Sequence, residues 1–280
     1  MSALLISCLI FFLTAIAQAG EIQVAVSEVN DNRTTGQYFG GLELKLKVIS
    51  DMISDAKGLK LHINKAVDNT GRNLIKDDKM DKDFTKPEEN MPGQAELTIK
   101  LKNPARKATS IKEISGEIIV YIPNKDPNST AYIKDFTNQA GNPLQHQTLK
   151  AAQVEITVLT KKQYDEMKAA KEKSAKEEAS KMGIAGEMAQ ALLSMFGDIF
   201  EASENSIILD IKDEKKKVIA IEFDDEAGQK ISSYGTMTMG DIKAYDFDKP
   251  IPANARIVVF LSTPKSFIRE PMKLTNIALP

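Results

Sequence analysis

Apolar and polar side chains alternate along most of the chain. Ile22, Val24 and Val26 fall on one face, with Gln23, Ala25 and Ser27 on the other. After the turn-forming Asn30-Asp31-Asn32, the alternation resumes with Leu42, Leu44, Leu46 and Val48 against Glu43, Lys45 and Lys47. It continues with Leu59, Leu61 and Ile63 against Lys60, His62 and Asn64, then at residues 97–101, 118–122 and 154–158. Successive side chains on a strand point to opposite faces, so each run predicts a half-buried strand. Gly, Asn, Asp and Pro separate the runs, as reversals of the chain require. There is no helical period before about residue 160. Residues 20–160 therefore predict an antiparallel β-sandwich domain of about seven strands.

The period changes at Lys161. Almost every residue from Lys161 to Lys181 is a good helix former, and Thr160 with Gln163 makes a capping box at the start. Glu172 with Lys176 and Glu177 with Lys181 are i,i+4 pairs in the favourable order. This helix lacks a continuous apolar stripe, so most of it should stand in solvent. Gly183 and Gly186 punctuate the next stretch, in which apolar residues recur at three- and four-residue steps: Ile184, Met188, Leu192, Met195, Phe196, Ile199 and Phe200. Residues 161–202 thus predict a helical hairpin insert, its second helix amphipathic and free of Lys and Arg. Strand patterns return at 207–211, 218–223, 236–245, 257–261 and 272–277. The fold class predicted is mainly β: two immunoglobulin-like antiparallel β-sandwich regions separated by a helical hairpin. The second region, 203–280, is smaller and either stands alone or shares a sheet with the first.

Two stretches repeat one order of features. Residues 61–74 and 218–231 each hold a strand, then Asp-x-x-Gly (Asp68 to Gly71, Asp225 to Gly228), then two residues and an aliphatic. Pro104-Ala105 and Pro252-Ala253 follow downstream. The order fits an internal duplication, and it equally fits a common turn, in which Asp bonds the following amides and Gly accepts positive φ. The segment Ala66 to Leu74 and the closing Asn276-Ile277-Ala278-Leu279-Pro280 resemble parts of bacterial secreted proteins with immunoglobulin-like β modules. The resemblance implies a sandwich fold and export; it implies no activity, cofactor or catalytic residue.

Export is expected from the N-terminus as well. Residues 1–19 carry no charged side chain, hold an apolar core from Leu4 to Leu13, and end in Ala17-Gln18-Ala19. They read as a signal peptide cleaved before Gly20. The run is too short for a membrane anchor of about 20 apolar residues, and Cys8 sits too early for a lipoprotein signal. Cys8 is the chain's 1 cysteine, so the mature protein would have no thiol and no disulfide. A cysteine-free exported chain fits a bacterial periplasm or exterior. Asn32 and Asn128 begin Asn-x-Ser/Thr tripeptides, which matter only in a eukaryotic source.

Composition narrows the function classes. Lys+Arg 37 against Asp+Glu 39 leaves a net charge of -2, which disfavours a whole-chain grip on nucleic acid. With 2 His, few zinc sites or nucleophile–base pairs can be built. His62 falls on the polar face of its strand and His146 in a loop. The acidic run 76–83 supplies Asp78, Asp81 and Asp83 as calcium candidates. Its interleaved lysines and the missing EF-hand spacing favour a solvated loop. Met237 and Met239 share one strand face and could hold Cu(I), although two core methionines are the plainer reading. Asp224 and Asp225 are adjacent, so on a strand they would point apart, a poor geometry for acid–base work. No catalytic residue and no cofactor is expected. The surface expected to bind a partner, or a second copy, is that of Ile184, Met188, Leu192, Met195, Phe196 and Phe200, unless it packs on its own domain. The function expected is an exported, non-enzymatic interaction or structural module of the cell envelope or extracellular space. A periplasmic small-ligand or metal binder is the alternative, and a carboxylate-dependent hydrolase the remote one.

Overall fold

The computed structural model describes residues 22–33, 40–76, 84–88, 90–181 and 203–280. The elements, in chain order, are β1 (Gln23–Asn32), β2 (Gly41–Ile49), β3 (Gly58–Asp68), β4 (Gln94–Leu101), β5 (Ser110–Tyr121) and β6 (Thr130–Lys134). Helix α1 (Gln147–Ala152), β7 (Glu155–Val158) and helix α2 (Lys161–Lys181) follow. Then come β8 (Ile207–Lys212), β9 (Val218–Asp224), β10 (Lys230–Ile231), β11 (Gly235–Met239), β12 (Ile242–Asp246), β13 (Arg256–Leu261) and β14 (Phe267–Ala278). The protein is mainly β, with four antiparallel sheets.

The alternation of the sequence is the alternation of burial. In β2, Leu42, Leu44, Leu46 and Val48 are buried and their neighbours are not. They meet Leu97 and Ile99 of their own sheet (β1-β2-β4), and Ile114, Ile118 and Val120 of another (β14-β5-β3), in one apolar core. A second core draws Ile156, Val158 and Leu209 from sheet β11-β12-β8-β7, and Ile133, Phe223, Ile257 and Val259 from sheet β10-β9-β13-β6. The molecule thus has two halves, each with two sheets around its own core.

The halves do not divide at residue 160. Strands β6 and β7, which precede helix α2, pair with β13 and β8, which follow it. Strand β14, at the end of the chain, pairs with β5 of the first half along nearly its whole length. Alternation identifies a strand but leaves its neighbour open, so a linear reading placed these strands with their sequence neighbours. Three local expectations change too. Asn30 to Asn32 continue β1 rather than turning. Residues 236–245 fold as a hairpin at Gly240, whose φ is 59°. Helix α1 lies inside the region expected to be helix-free, and its 6 residues are too few to establish a period.

Helix α2 starts as expected. Gln163 N donates to Thr160 Oγ1 at 3.3 Å, and Thr160 N donates to Gln163 Oε1 at 3.0 Å. Its first turns lay Tyr164 and Met167 on Ile208, Ile242 and Ala244. Residues 182–202, the second arm of the expected hairpin, lie outside the described residues. The helix interrupts a hairpin, because β7 and β8 on either side of it pair directly, Val158 opposite Leu209. One glycine is fixed by close approach. Strand β3 bulges between Ile63 and Lys65, and a Cβ on Gly116 opposite would collide with the His62 carbonyl oxygen.

The chain crosses between the halves at 122–129 and again at 262–266. Tyr121 is fully buried at this crossing. Its hydroxyl lies 3.1 Å from the Ser129 carbonyl, on the first crossing, and 3.0 Å from the Leu261 carbonyl, at the end of β13 where the second begins. Its ring packs on Phe267 and, with Phe84, meets Ala220, Val258 and Phe260 of the second half. Lys57 adds an ion pair across the halves, 2.8 Å from Glu222.

Replacing Tyr121 by Phe should cost about 1–3 kcal/mol, because the buried carbonyls of Ser129 and Leu261 lose the one hydroxyl proton they share. The expected reading is a lower urea midpoint with an unchanged slope; an unmoved midpoint would remove the hydroxyl from the account. Excising 162–204 and closing β7 to β8 with a short Gly-containing turn should leave one cooperative unfolding transition. Loss of cooperativity would mean that the helix completes the second core.

Candidate functional site

The two crossing segments leave a cleft of about 600 Å³ between them. Asp126 and Asn128 line it from the first segment, Ser262 and Thr263 from the second, and Lys215 and Lys217 from the turn between β8 and β9. Helix α1 closes the remaining side with Thr148 and Gln153. Each wall has a local cause. Asp126 caps a short helical turn: its carboxylate accepts from Asn128 N at 3.0 Å, and that amide holds its carboxyl below the usual range. The lysine turn is built on Asp213, which accepts from Lys217 N at 2.8 Å and Val218 N at 2.6 Å, with Lys216 in the left-handed region at φ 50°. Helix α1 is capped by His146, whose Nδ1 accepts from Thr148 N at 3.2 Å. Lys215 Nζ donates to Gln153 Oε1 at 2.5 Å across the rim. The cleft therefore presents amide, hydroxyl and ammonium groups together with the Asp126 carboxylate. That mixed set suits hydrogen-bonded capture of a polar group. A smaller cleft, of about 300 Å³, lies between the halves beside Lys57, Lys86, Glu88 and Glu222.

Met237 and Met239 lie on β11 and pack against the cluster of Tyr164, Ile208, Ile242 and Ala244, with Met167 of helix α2 beside them. Both thioethers are half-buried in that contact. Asp78, Asp81 and Asp83 lie outside the described residues, as do Ile184, Met188, Leu192, Met195, Phe196 and Phe200. Among the described residues, no three His, Cys, Asp or Glu side chains come together as a metal-holding group. Nor is any described helix long and apolar enough to cross a membrane. His62 is exposed on β3. Asp224 is 3.3 Å from Arg256, while Asp225 holds the turn that follows, so the two carboxylates serve different partners.

Sequence reasoning missed His146 as a cap and the crossing cleft as a whole. His146 stands two residues before Thr148, a spacing open to a helix cap, but the imidazole is not a usual one. The cleft had no local signal, because its walls come from residues 126–128, 147–153, 215–217 and 261–264.

The most strongly held carboxylate is Asp68, which has no exposed surface. Its Oδ1 accepts from Thr70 N at 2.9 Å, Thr70 Oγ1 at 2.7 Å and Arg72 N at 3.0 Å, and its Oδ2 from Ala105 N at 2.9 Å. Burial alone would raise its pKa. These four donors outweigh burial and hold it at about 2. Arg33 clamps the same loop, donating to the carbonyls of Ala105, Arg106 and Ala108 while it pairs with Asp31. All of these bonds are internal to the fold, so Asp68 is a structural carboxylate.

Fold and cleft together define a class: a mainly β protein of two paired-sheet halves whose crossing segments frame a polar cleft. No family model, no curated protein and no solved structure matches the chain.

Asp68 should give the fold an acid limit. Its folded pKa lies below the ordinary 3.8, so folding favours the charged form. The contribution is complete above about pH 4 and is lost as pH falls toward 2, the direction for any depressed carboxylate. Asp68→Asn should lower stability by about 2–4 kcal/mol at neutral pH, since an amide nitrogen would face a backbone donor. It should also flatten the acid limb. Thermal midpoints from pH 2 to pH 6 check both, and a variant with the parent's acid limb would contradict the assignment.

Proposed function

We propose that the protein is an exported, non-enzymatic interaction module of the envelope or extracellular space, built on two immunoglobulin-like sandwiches. The order of pairing supports the sandwich reading. In the first half β1-β2-β4 lies opposite β3-β5-β14, and in the second β7-β8-β12-β11 lies opposite β6-β13-β9-β10. The second half follows the A-B-E-D and G-F-C orders of the immunoglobulin type, with β10 added beside β9, and the first half follows A-B-E and G-F-C. Residues 1–19 support export.

The observation that carries the interaction reading is the anchoring of helix α2. Tyr164 and Met167, in its first two turns, pack on the second half, whereas Asp165, Glu166, Ala169, Ala170, Lys171, Lys173, Ser174 and Glu177 are exposed. At 1.5 Å per residue its 21 residues span about 30 Å. A helix this polar gains little from its own fold. It leads directly into the apolar positions 184–200, the proposed contact with a protein partner or a second copy.

A second reading, small-ligand binding, rests on the crossing cleft with Lys215 and Lys217 on its rim.

Light scattering of the chain from Gly20 onward, with and without Leu192→Ser and Phe196→Ser, tests the first reading. The expected result is an assembly for the parent and a folded monomer for the variant. A monomeric parent with an unfolding variant would make the segment internal packing and shift attention to the cleft.

A further inference from the structure

The two halves repeat one plan. In the first, β1 pairs with β2, β2 with β4, β3 with β5, and β5 with β14. In the second, β7 pairs with β8, β8 with β12, β9 with β13, and β13 with β6. The turns after β3 and β9 share three hydrogen bonds. Asp68 N donates to Arg72 O, Gly71 N to Asp68 O, and Arg72 N to Asp68 Oδ1. Asp225 N donates to Gln229 O, Gly228 N to Asp225 O, and Gln229 N to Asp225 Oδ1. The returning residues pair alike, Val67 opposite Asn73 and Asp224 opposite Lys230. The turn alone is no proof of duplication, since Asp213 builds a similar one. The order of pairings carries the equivalence.

Under that equivalence β14 and β6 hold the same position, and each has been lent to the other half. The chain leaves β5 and supplies β6 to β13; it leaves β13 and supplies β14 to β5. We propose that this exchange also operates between molecules, with β14 as the donor strand and the β5 edge of a second copy as its acceptor, giving a strand-swapped dimer.

Two features single out β14. Its one strand partner among the described residues is β5, from Phe267 opposite Tyr121 to Ala278 opposite Ser110. Met272 is its one fully buried residue, and Ile268, Leu274 and Ile277 pack half-buried against the first core. By contrast, β6 buries Ala131 and Ile133 in the second core and is tethered at both ends. A copy of β14 arriving in trans restores every pairing of the ladder, and only the hinge 262–266 changes conformation. That is the general reason swapped dimers cost little. The surface differs from that of residues 184–200, and exchange requires unfolding and refolding at high concentration, so the Leu192→Ser, Phe196→Ser variant purified without unfolding stays the folded monomer expected above.

The test uses the full chain with Cys8→Ser, so that introduced thiols alone can bridge. Lys273 and Ser115 are register partners at the strand surface. One population carries Ser115→Cys and the other Lys273→Cys. They are unfolded together in urea, refolded at high concentration and mildly oxidised. The expected product is a disulfide-linked heterodimer, absent when Lys212→Cys, an exposed position on β8, replaces Lys273→Cys. Circular dichroism confirms that each variant folds. A second protein carries both cysteines in one chain together with Leu192→Ser and Phe196→Ser, which remove assembly through 184–200, and is oxidised while monomeric, which locks β14 in place; refolding it should yield no dimer. Heterodimer no more abundant than in the control, or dimer persisting in the locked protein, would overturn the proposal.

Discussion

Tyr121 stands where the chain leaves the first half and where it later returns. One buried hydroxyl faces the carbonyl of Ser129, on the first crossing, and that of Leu261, where β13 enters the second. Both residues are buried, so the hydroxyl serves them only while the two crossings run side by side. The ring meets Phe84 edge-on and Phe267 at a tilt, and seals the same place against Val258 and Phe260. Everything that makes the molecule one body passes here. Two strands must be delivered to the halves they do not otherwise belong to, and this junction lets the backbone do so without orphaned polar groups.

The consequence is mutual dependence. The β5 ladder is completed by the last strand of the chain, and the β13 ladder by a strand made early. Strand β13 reads Arg-Ile-Val-Val-Phe-Leu because both of its faces are covered: Ile257 and Val259 by the second core, Val258 and Phe260 by the junction. Buried polar side chains serve the same end. Asp68 holds the turn after β3 and the loop at Ala105, while Ser129 turns back on the carbonyls of Pro123 and Asp126. The polar cleft is a by-product of the crossing, roofed by a helix capped by His146. Any ligand it takes is therefore coupled to the junction that joins the halves.

Much of the local structure was legible in the chain. Leu42 to Val48 announced a strand with one wet face, and Thr160 with Gln163 announced the start of a helix; both stand as written. The Asp-x-x-Gly turns were legible as well, since Asp68 and Asp225 bond the amides that follow them. Little of the candidate site could be read, because its walls come from four stretches far apart in the chain and none bears a motif. His146 was visible as a residue but not as a cap, and Lys215 was visible as charge but not as a rim.

What the sequence determined by itself were the properties set by near neighbours: which residues form strands, which face each strand buries, where a helix begins and where the chain turns. These follow from side-chain alternation, backbone propensity and short-range hydrogen bonds, all complete within a few residues. What only the tertiary structure decided was which strand lies beside which. A β-ladder is made of backbone groups that every residue carries, so an edge strand such as β14 fits several neighbours equally by its own pattern. The choice was made by the core that had room for Met272 and by a junction at Tyr121 that exists only when both crossings are in place.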